Sequence, residues 1–377
     1  MPGAALSKQE VSFHHFARHV EALGRDALLA AASRVLESGR YILGAEVKAF
    51  EEEFAAFAGV EHAVGVANGT EAIALALMAL GVGPGDQVIT ADLTAYPTIT
   101  GIQQAGASPV VADVNPKTGL IDAERMAERI TPWTRALLPV HLYGQCCDMD
   151  ALSALARDRG LFLIEDCAQS VGATWRGQPC GSFGDCGCFS FYPTKNLGAF
   201  GDAGAVVTKS AAVRDRLIAL RNYGQSDRYR HDGLGINSRL DEMQAAFLRL
   251  KLPHVAAWTE RRRAVAAMYD AGLEGVGLLE NVAGAGHVRH LYPVLVERRS
   301  QVAEALAAMG IQTLIHYPIP VHLQGAFPSR GDESFPGAEY LAERLLSLPM
   351  CPELEDGEVR RVVTCVNEAV CGVGGCR

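Results

Sequence analysis

A lysine at position 195 is the residue of this sequence best suited to covalent chemistry. It follows the aromatic and apolar run Cys188-Phe189-Ser190-Phe191-Tyr192, with few charged residues beside it. Partial burial lowers the pKa of an ammonium group and frees its lone pair, which lets a lysine bond to the carbon of an aldehyde. Most lysines are surface groups, so this interpretation of Lys195 depends on what the fold places around it.

An acidic pair, Glu165-Asp166, ends the apolar run 161–164, which predicts a buried strand. An unpaired carboxylate is costly to bury, so Asp166 must meet a cation, a hydrogen-bond donor or solvent. A protonated ring nitrogen would be such a cation, and an aspartate in this position keeps pyridoxal phosphate electron-withdrawing. Gln169, one helical turn later, would either reach the phenolic oxygen of that ring or help to cap the next helix.

A third candidate site is Asn68-Gly69-Thr70, between a strand predicted over 63–67 and a helix predicted over 71–80. The tripeptide supplies an N-cap hydroxyl on Thr70, free backbone N–H groups and the positive end of a helix. These features together favour the binding of a phosphate. Helix capping without a ligand is the alternative interpretation.

Strands and helices alternate along the first half of the chain, which predicts βαβ units and a mostly parallel, mixed sheet between helices. Ligands of such sheets lie beyond the carboxyl ends of the strands, where Asn68, His141 and Asp166 all fall. After about residue 250 the pattern changes to a long helix from Ser238 to about Tyr269, an antiparallel-looking segment 290–296 and a helix at 300–309. We therefore predict an α/β fold with a large domain over 1–250 and a smaller α+β domain over 251–377.

The composition excludes several classes of protein. The 377 residues are 49% hydrophobic and 20% charged, with a net charge of −9, which argues against nucleic acid as a partner. No run has the 18 or so apolar residues of a membrane span, and the first residues lack the apolar core of a signal peptide. The prediction is a cytoplasmic protein with no membrane partner.

Ten cysteines raise the question of disulfides or a metal. They do not form the paired C-x2-C blocks of a zinc site, so we predict reduced thiols packed as small apolar side chains and no metal. Cys180, Cys186 and Cys188 are the remaining metal candidate.

In its motifs the chain resembles the DegT/DnrJ/EryC1/StrS family of sugar aminotransferases, which have fold type I and depend on pyridoxal phosphate. The resemblance runs from about Ser38 to at least Gln324 and covers most of the chain. Its landmarks, in order, are Asn68-Gly69-Thr70-Glu71-Ala72, Gly81 to Asp86, Ala105 to Val110, His141-Leu142-Tyr143-Gly144-Gln145, Glu165 to Ser170, Ser190 to Lys195, and Asn237-Ser238-Arg239-Leu240-Asp241-Glu242.

The resemblance implies roles for individual residues. Lys195 looks like the lysine that bonds covalently to the cofactor and then moves the substrate proton. Asp166 is similar to the partner of the pyridine nitrogen, and Gln169 to the group beside the phenolic oxygen.

Further roles come from the same resemblance. Gly69, Thr70 and Ser190 look like phosphate ligands. Asn237 looks like the residue that reaches the cofactor phosphate of a neighbouring subunit, which implies a homodimer with shared active sites. His322 is similar to a residue lining the sugar site.

The segment after Thr94 departs from the family pattern. Many members carry an aromatic residue directly after this threonine, and its ring stacks on the pyridoxal face. Here Ala95 follows, with Tyr96 one place later. We expect that Tyr96 swings in, that another residue covers the ring, or that the face is more open; packing of Tyr96 in the core is an equal alternative.

The implied activity is transamination of a nucleotide-linked keto sugar, with L-glutamate as amino donor, 2-oxoglutarate as its product and pyridoxamine phosphate as intermediate. Arg221-Asn222-Tyr223-Gly224 and the Asn237 motif favour a 3-keto-6-deoxy sugar. An aminocyclitol aminotransferase and a non-catalytic regulator on the same fold are the alternatives. Lys195 argues against the dehydratase branch of the family, in which histidine replaces the lysine.

Overall fold

The computed structural model describes residues 10–327 and 333–374. Within these ranges no helix is both long and apolar enough to cross a membrane.

The α-helices of the described residues vary from one to five turns. In chain order they are α1 (Phe16–Leu23), α2 (Arg25–Ser38), α3 (Ala45–Phe57), α4 (Gly69–Ala79), α5 (Tyr96–Gln104), α6 (Ala123–Glu128), α7 (Met149–Arg159), α8 (Ala211–Leu220), α9 (Glu242–Lys251), α10 (Val255–Gly272), α11 (Arg299–Ala308), α12 (Pro336–Arg344) and α13 (Asp356–Gly374). Short 3-10 turns span Leu142–Gly144, Leu252–His254 and Val321–Leu323.

The strands are mostly short, as expected for a sheet covered by helices. They are β1 (His62–Val66), β2 (Gln87–Ala91), β3 (Ser108–Ala112), β4 (Thr134–Leu138), β5 (Phe162–Asp166), β6 (Thr174–Trp175), β7 (Gln178–Pro179), β8 (Cys186–Ser190), β9 (Gly204–Thr208), β10 (Gln225–Asp227), β11 (Arg230–His231), β12 (Gly277–Leu278), β13 (Ala285–Gly286), β14 (Tyr292–Leu295) and β15 (Leu345–Leu348).

A seven-stranded sheet forms the centre of the molecule, with the strand order β1-β9-β8-β5-β4-β2-β3. Strand β9 pairs antiparallel with both β1 and β8, and the other pairs are parallel. The predicted α/β fold with a mostly parallel, mixed sheet is therefore confirmed. Because β1, β2, β4, β5 and β8 run in one direction, the residues after β1, β2, β4 and β5 meet at one edge.

Two large hydrophobic cores divide the buried side chains. The first surrounds the central sheet and its helices, and the second is built from residues 265–369 together with Val11. A three-stranded antiparallel sheet, β12-β14-β15, belongs to the second. A second core and a second sheet therefore lie in the part of the chain after residue 250, and the division into a large domain over 1–250 and a smaller α+β domain over 251–377 stays a prediction.

The long helix predicted from Ser238 to Tyr269 is wrong in its continuity. Helix α9 ends at Lys251, a 3-10 turn covers Leu252–His254, and α10 follows. Pro253 explains the break, because proline lacks the backbone N–H that a continuous helix needs.

Eight cysteines are free thiols, all of them buried: Cys146, Cys147, Cys167, Cys180, Cys186, Cys188, Cys351 and Cys365. Cys371 is disulfide-bonded, so the prediction of reduced thiols is wrong for this residue. Cys180 groups with Cys146 and His141, and no metal-ligating group of the described residues unites it with Cys186 and Cys188.

Candidate active site

A cavity of about 300 Å³ opens at the carboxyl edge of the central sheet. Residues from seven separate parts of the chain line it, among them Asn68, Thr70, Asp166, Ser190 and Lys195. These residues span more than 120 positions of the sequence, so the fold of the central sheet, and not proximity along the chain, brings them together. The structure thus collects most of the predicted site residues around one space.

Lys195 enters this cavity from the loop after β8. Its backbone N–H donates to the Tyr192 carbonyl at 2.8 Å, which closes a tight turn. The turn is packed closely: a Cβ on Gly198 would lie 2.4 Å from the Pro193 carbonyl oxygen. Burial lowers the pKa of Lys195 to about 8, although the charge of Asp166 opposes this shift. About a tenth of this amine is therefore neutral at pH 7, far more than for an ordinary lysine.

Asp166 ends β5 and is 4% exposed. Its Oδ2 accepts a hydrogen bond from the Thr98 hydroxyl at 2.8 Å, and its Oδ1 accepts from the Ala168 N–H at 3.1 Å. Burial raises the pKa of Asp166, while these two donors and the charge of Lys195 lower it. A cation in the cavity would complete the set of partners that this buried carboxylate needs.

The start of α4 forms a cradle with Ser190. The Asn68 Oδ1 accepts from the Glu71 N–H at 2.9 Å, so asparagine, not the Thr70 hydroxyl as predicted, caps the helix. The Thr70 side chain lies in the cavity lining instead. A Cβ on Gly69 would meet the Ser190 Cβ at 2.7 Å, so only glycine permits this approach. Gly69, Thr70 and Ser190 all line the cavity at this helix start, where the first N–H groups of a helix have no partner within the helix.

Gln169 lies in the same lining, held by two tyrosines. Its Oε1 accepts from the Tyr143 N–H at 2.7 Å, and its Nε2 donates to the Tyr317 hydroxyl at 3.0 Å. Tyr143 has φ 60°, a conformation that side chains rarely adopt. One N–H of the Gln169 amide remains for a ligand.

Three histidines also line the cavity, and the sequence analysis did not identify them: His14, His290 and His316. Burial lowers the pKa of His14 and of His316 to about 4, and that of His290 well below its usual value. His290 is anchored by a hydrogen bond between its Nδ1 and the Asn196 Oδ1 at 2.9 Å. Neutral imidazoles can donate or accept a hydrogen bond without adding charge beside Lys195.

Tyr96 lies outside the cavity lining. It starts α5 and packs against the first core, and its hydroxyl has no partner among the described residues. Ala95, Pro97 and Thr98 form the wall in its place. This placement favours the alternative in which Tyr96 packs in the core, and a role of Tyr96 beside the cofactor stays a prediction.

His322 and Asn237 also lie outside this lining. His322 is held by Asp92, through its Nδ1 at 2.6 Å from Oδ2 and its backbone N–H at 2.9 Å from Oδ1. Burial raises the pKa of Asp92 to about 6, and its hydrogen bonds with His322 oppose the shift. Asn237 is exposed and forms an antiparallel bridge with Asn222.

Comparisons with known proteins identify relatives over most of the chain. The chain is 48% identical over 344 residues to the dTDP-3-amino-3,4,6-trideoxy-alpha-D-glucose transaminase of Streptomyces venezuelae. The matched region covers 90% of this chain and 91% of that protein. It is 46% identical over 350 residues to a UDP-N-acetyl-3-dehydro-alpha-D-glucosamine 3-aminotransferase of Acidithiobacillus ferrooxidans, with 92% and 95% covered.

Solved structures give the same result. DesV of S. venezuelae in complex with a ketimine intermediate superposes with a TM-score of 0.93 at 46% identity, over 95% of this chain and 98% of that one. NtdA of Bacillus subtilis, solved with bound cofactor PMP, has a TM-score of 0.89 at 28% identity, with 98% and 87% covered. Residues 24–367 match the DegT/DnrJ/EryC1/StrS aminotransferase family, and the chain belongs to it.

Proposed function

We propose that this chain is a pyridoxal phosphate-dependent aminotransferase that moves an amino group from L-glutamate to a keto carbon of a nucleotide-linked sugar. The observation that carries the proposal is the placement of Lys195 and Asp166 in one cavity, with a phosphate cradle at the start of α4. Covalent attachment, a counter-charge and an anion site are three separate requirements of this cofactor.

The residues present fit the cofactor. Gly69 packs against Ser190, and Gly204 packs against the Asn68 backbone. A Cβ on either glycine would lie within 2.7 Å of its neighbour, so both positions require glycine. Asp166 is a buried carboxylate in the lining of the cavity, and a cation such as a protonated ring nitrogen would offset the cost of its burial. When bound, pyridoxal phosphate supplies an aldehyde that carries the amino group and a ring that withdraws electrons from the carbon being deprotonated.

Each residue then has a defined task. The Lys195 Nζ holds the cofactor covalently and afterwards, as a free amine, moves a proton to and from the reacting carbon. Asp166 keeps a proton on the ring nitrogen. Gln169 donates its remaining N–H to the phenolic oxygen, and Gly69, Thr70 and Ser190 bind the phosphate.

The proposed acceptor has its keto group at carbon 3. Both curated relatives described above have names that place the amino group at this carbon, which supports position 3 over position 4. They differ in nucleotide and in the substituents at carbons 2, 4 and 6, so these features are left to the assay.

We infer that a homodimer forms with shared active sites. Asn237 lies outside the cavity of its own chain, beside a surface on which Tyr223, Tyr229 and Leu234 are 45%, 83% and 92% exposed. Large apolar side chains this exposed are expected at an interface. In the dimer Asn237 would reach the phosphate held by the neighbouring cradle.

A panel of ketones incubated with enzyme, pyridoxal phosphate and L-glutamate tests the proposal by mass spectrometry. We expect amino products and 2-oxoglutarate from nucleotide-linked 3-keto sugars. Amination of a ketocyclitol alone would replace the substrate class by the aminocyclitol alternative. A purified protein without a visible absorbance band, even after addition of cofactor, would favour the regulator.

A further inference from the structure

We propose that Lys251 and Gln244 of helix α9 are positioning residues for Lys195. They hold the backbone segment that follows this lysine, and the role that we assign to them rests on the proposed function. The Lys251 Nζ donates to the Gly198 carbonyl at 2.7 Å, and the Gln244 Oε1 accepts from the Phe200 N–H at 2.8 Å. Neither side chain lines the active-site cavity, so both would act through Lys195.

The two residues lie on one face of α9. Seven positions separate them in the sequence, which is close to two full turns of a helix, so their side chains project in the same direction. Gln244 belongs to the first turn of the helix, and Lys251 is its last residue. This face therefore supports the segment after Lys195 at two points, Gly198 and Phe200.

Packing alone does not explain a lysine at position 251. Lys251 is 2% exposed and forms no ion pair with any residue that the structure describes. Its Nζ lies 3.6 Å from the centre of the Phe200 ring, and its hydrogen bond goes to a backbone carbonyl. Burial of a cation with such partners is costly, and a methionine of similar length would fill the space without this cost. The hydrogen bond to Gly198 is therefore what the ammonium group adds.

The segment that carries Lys195 is tightly packed. A Cβ on Gly198 would lie 2.4 Å from the Pro193 carbonyl oxygen, and the Ala199 N–H donates to the Phe191 carbonyl at 2.7 Å. A shift of the Gly198 carbonyl would therefore move the backbone of Lys195, three residues earlier in the chain. Covalent attachment needs the amine aligned with the aldehyde carbon, and a displacement of about 1 Å can slow such a reaction about 100-fold.

Helix α9 is itself firmly anchored to α3. The carboxylate of its first residue, Glu242, accepts hydrogen bonds from three N–H groups around the start of α3. Further along α9, Arg249 forms ion pairs with Glu46 and Glu53. The hydrogen bonds of Arg249 go to these two carboxylates and not to the segment after Lys195. Substitution of Arg249 therefore weakens the anchoring of α9 without removing either contact to that segment.

Covalent and non-covalent cofactor binding test the proposal separately. Pyridoxal phosphate can bond to Lys195, whereas pyridoxamine phosphate has an amine in place of the aldehyde and cannot. In Lys251→Met and in Gln244→Leu the rate of covalent attachment, followed by absorbance, should fall about 10-fold or more. The affinity for pyridoxamine phosphate should stay close to that of the wild type, because the phosphate cradle and Asp166 are unchanged. The control Arg249→Met should lower the stability of the fold and leave the attachment rate close to that of the wild type.

Hydrogen exchange of the cofactor-free proteins, followed by mass spectrometry, gives a second readout. Peptides that cover residues 195–200 should exchange faster in both variants than in the wild type, whereas peptides of β9 should not change. Gln244 is only partly buried, so Gln244→Leu keeps the test available if Lys251→Met does not fold.

Several results would overturn the proposal. They are a wild-type attachment rate or exchange pattern in either variant, equal losses of covalent attachment and of pyridoxamine phosphate binding, and the same slowing in Arg249→Met. A wild type that forms no covalent link would instead refute the proposed function. The exchange experiment needs no cofactor, so it would still show whether Lys251 and Gln244 hold the segment.

Discussion

Lys195 and Lys251 are both lysines whose pKa is lowered by burial to about 8, but they face different surroundings. The Lys251 Nζ donates to the Gly198 carbonyl at 2.7 Å and lies 3.6 Å from the centre of the Phe200 ring. Lys195 faces the cavity that contains Asp166. The lowered pKa alone therefore does not distinguish the two lysines. We propose Lys195 as the reactive one because its side chain lines the cavity.

Borohydride reduction of the enzyme with pyridoxal phosphate should label Lys195 and leave Lys251 unlabelled. Lys195→Ala should bind the cofactor without the covalent link and lose at least about 10²–10⁴-fold in turnover, the usual contribution of a proton-transferring group. Peptide mapping and a glutamate-dependent assay measure the two effects, with the exposed Lys48→Ala as control. Label on the peptide that contains Lys251 would contradict the assignment.

Thr98→Val should weaken cofactor binding about 10-fold or more, because a hydrogen bond to a charged group contributes about 1.5–3 kcal/mol. Loss of the Thr98 donor raises the pKa of Asp166 further, so the effect should grow as the pH falls. Absorbance titration with pyridoxal phosphate at two pH values measures it.

The matched control is Thr100→Val. This threonine is on the same helix, but its hydroxyl donates to the Tyr96 carbonyl at 3.3 Å instead of to Asp166. Equal losses in the two variants would show that helix α5, rather than Asp166, is what the Thr98 substitution disturbs.

The order of strands and helices along the sequence predicts part of the candidate active site. A buried apolar strand that ends in Asp166, and a strand that passes through Asn68 into a helix, predict that these two residues lie at one edge of the sheet. The antiparallel strand β9 has no such signal, because Ala205-Val206-Val207 is equally apolar in either direction.

Other contacts depend on packing between distant segments. His14 reaches the cavity across more than 180 residues from Lys195, and nothing in its local sequence indicates this. The pairing of His322 with Asp92 joins positions 230 residues apart. Tyr96 was ambiguous because one residue of helix register decides whether its ring faces the cavity or the core.

Gly69→Ala should reduce affinity for pyridoxal phosphate, because the added methyl would meet the Ser190 Cβ at 2.7 Å. Overpacking of this kind costs about 1–3 kcal/mol, so a rise in Kd of about 5-fold or more is expected. The control is Gly357→Ala, where a Cβ meets nothing within 4 Å. Unchanged affinity in Gly69→Ala would exclude a close phosphate at this helix start.

The rate of covalent cofactor attachment should follow the titration of Lys195. The neutral amine reacts, so the rate should rise about tenfold per pH unit below the pKa and level off above it. With the pKa lowered to about 8, the plateau begins near that value. His14 and His316, whose pKa values are about 4, stay neutral through this range and do not contribute.

The variant Asp166→Asn tests in which direction the charge of Asp166 shifts the pKa of Lys195. The charge of Asp166 raises the pKa of Lys195, so its removal should move the inflection to lower pH. Stopped-flow absorbance at a series of pH values measures both proteins. An inflection near the ordinary lysine value of 10.5 in the wild type would contradict the lowered pKa.

Hybrid dimers test whether the active sites are shared. If Asn237 serves the neighbouring cradle, Lys195→Ala and Asn237→Ala chains should each have low activity alone. Co-refolding them in equal amounts gives about half heterodimers, each with one intact site of two, so about a quarter of wild-type turnover should return. If Asn237 acts within its own chain, no heterodimer has an intact site and the mixture stays as inactive as its parents. Size-exclusion chromatography of the mixture, with the two chains carrying different tags, distinguishes this result from a failure of the chains to exchange.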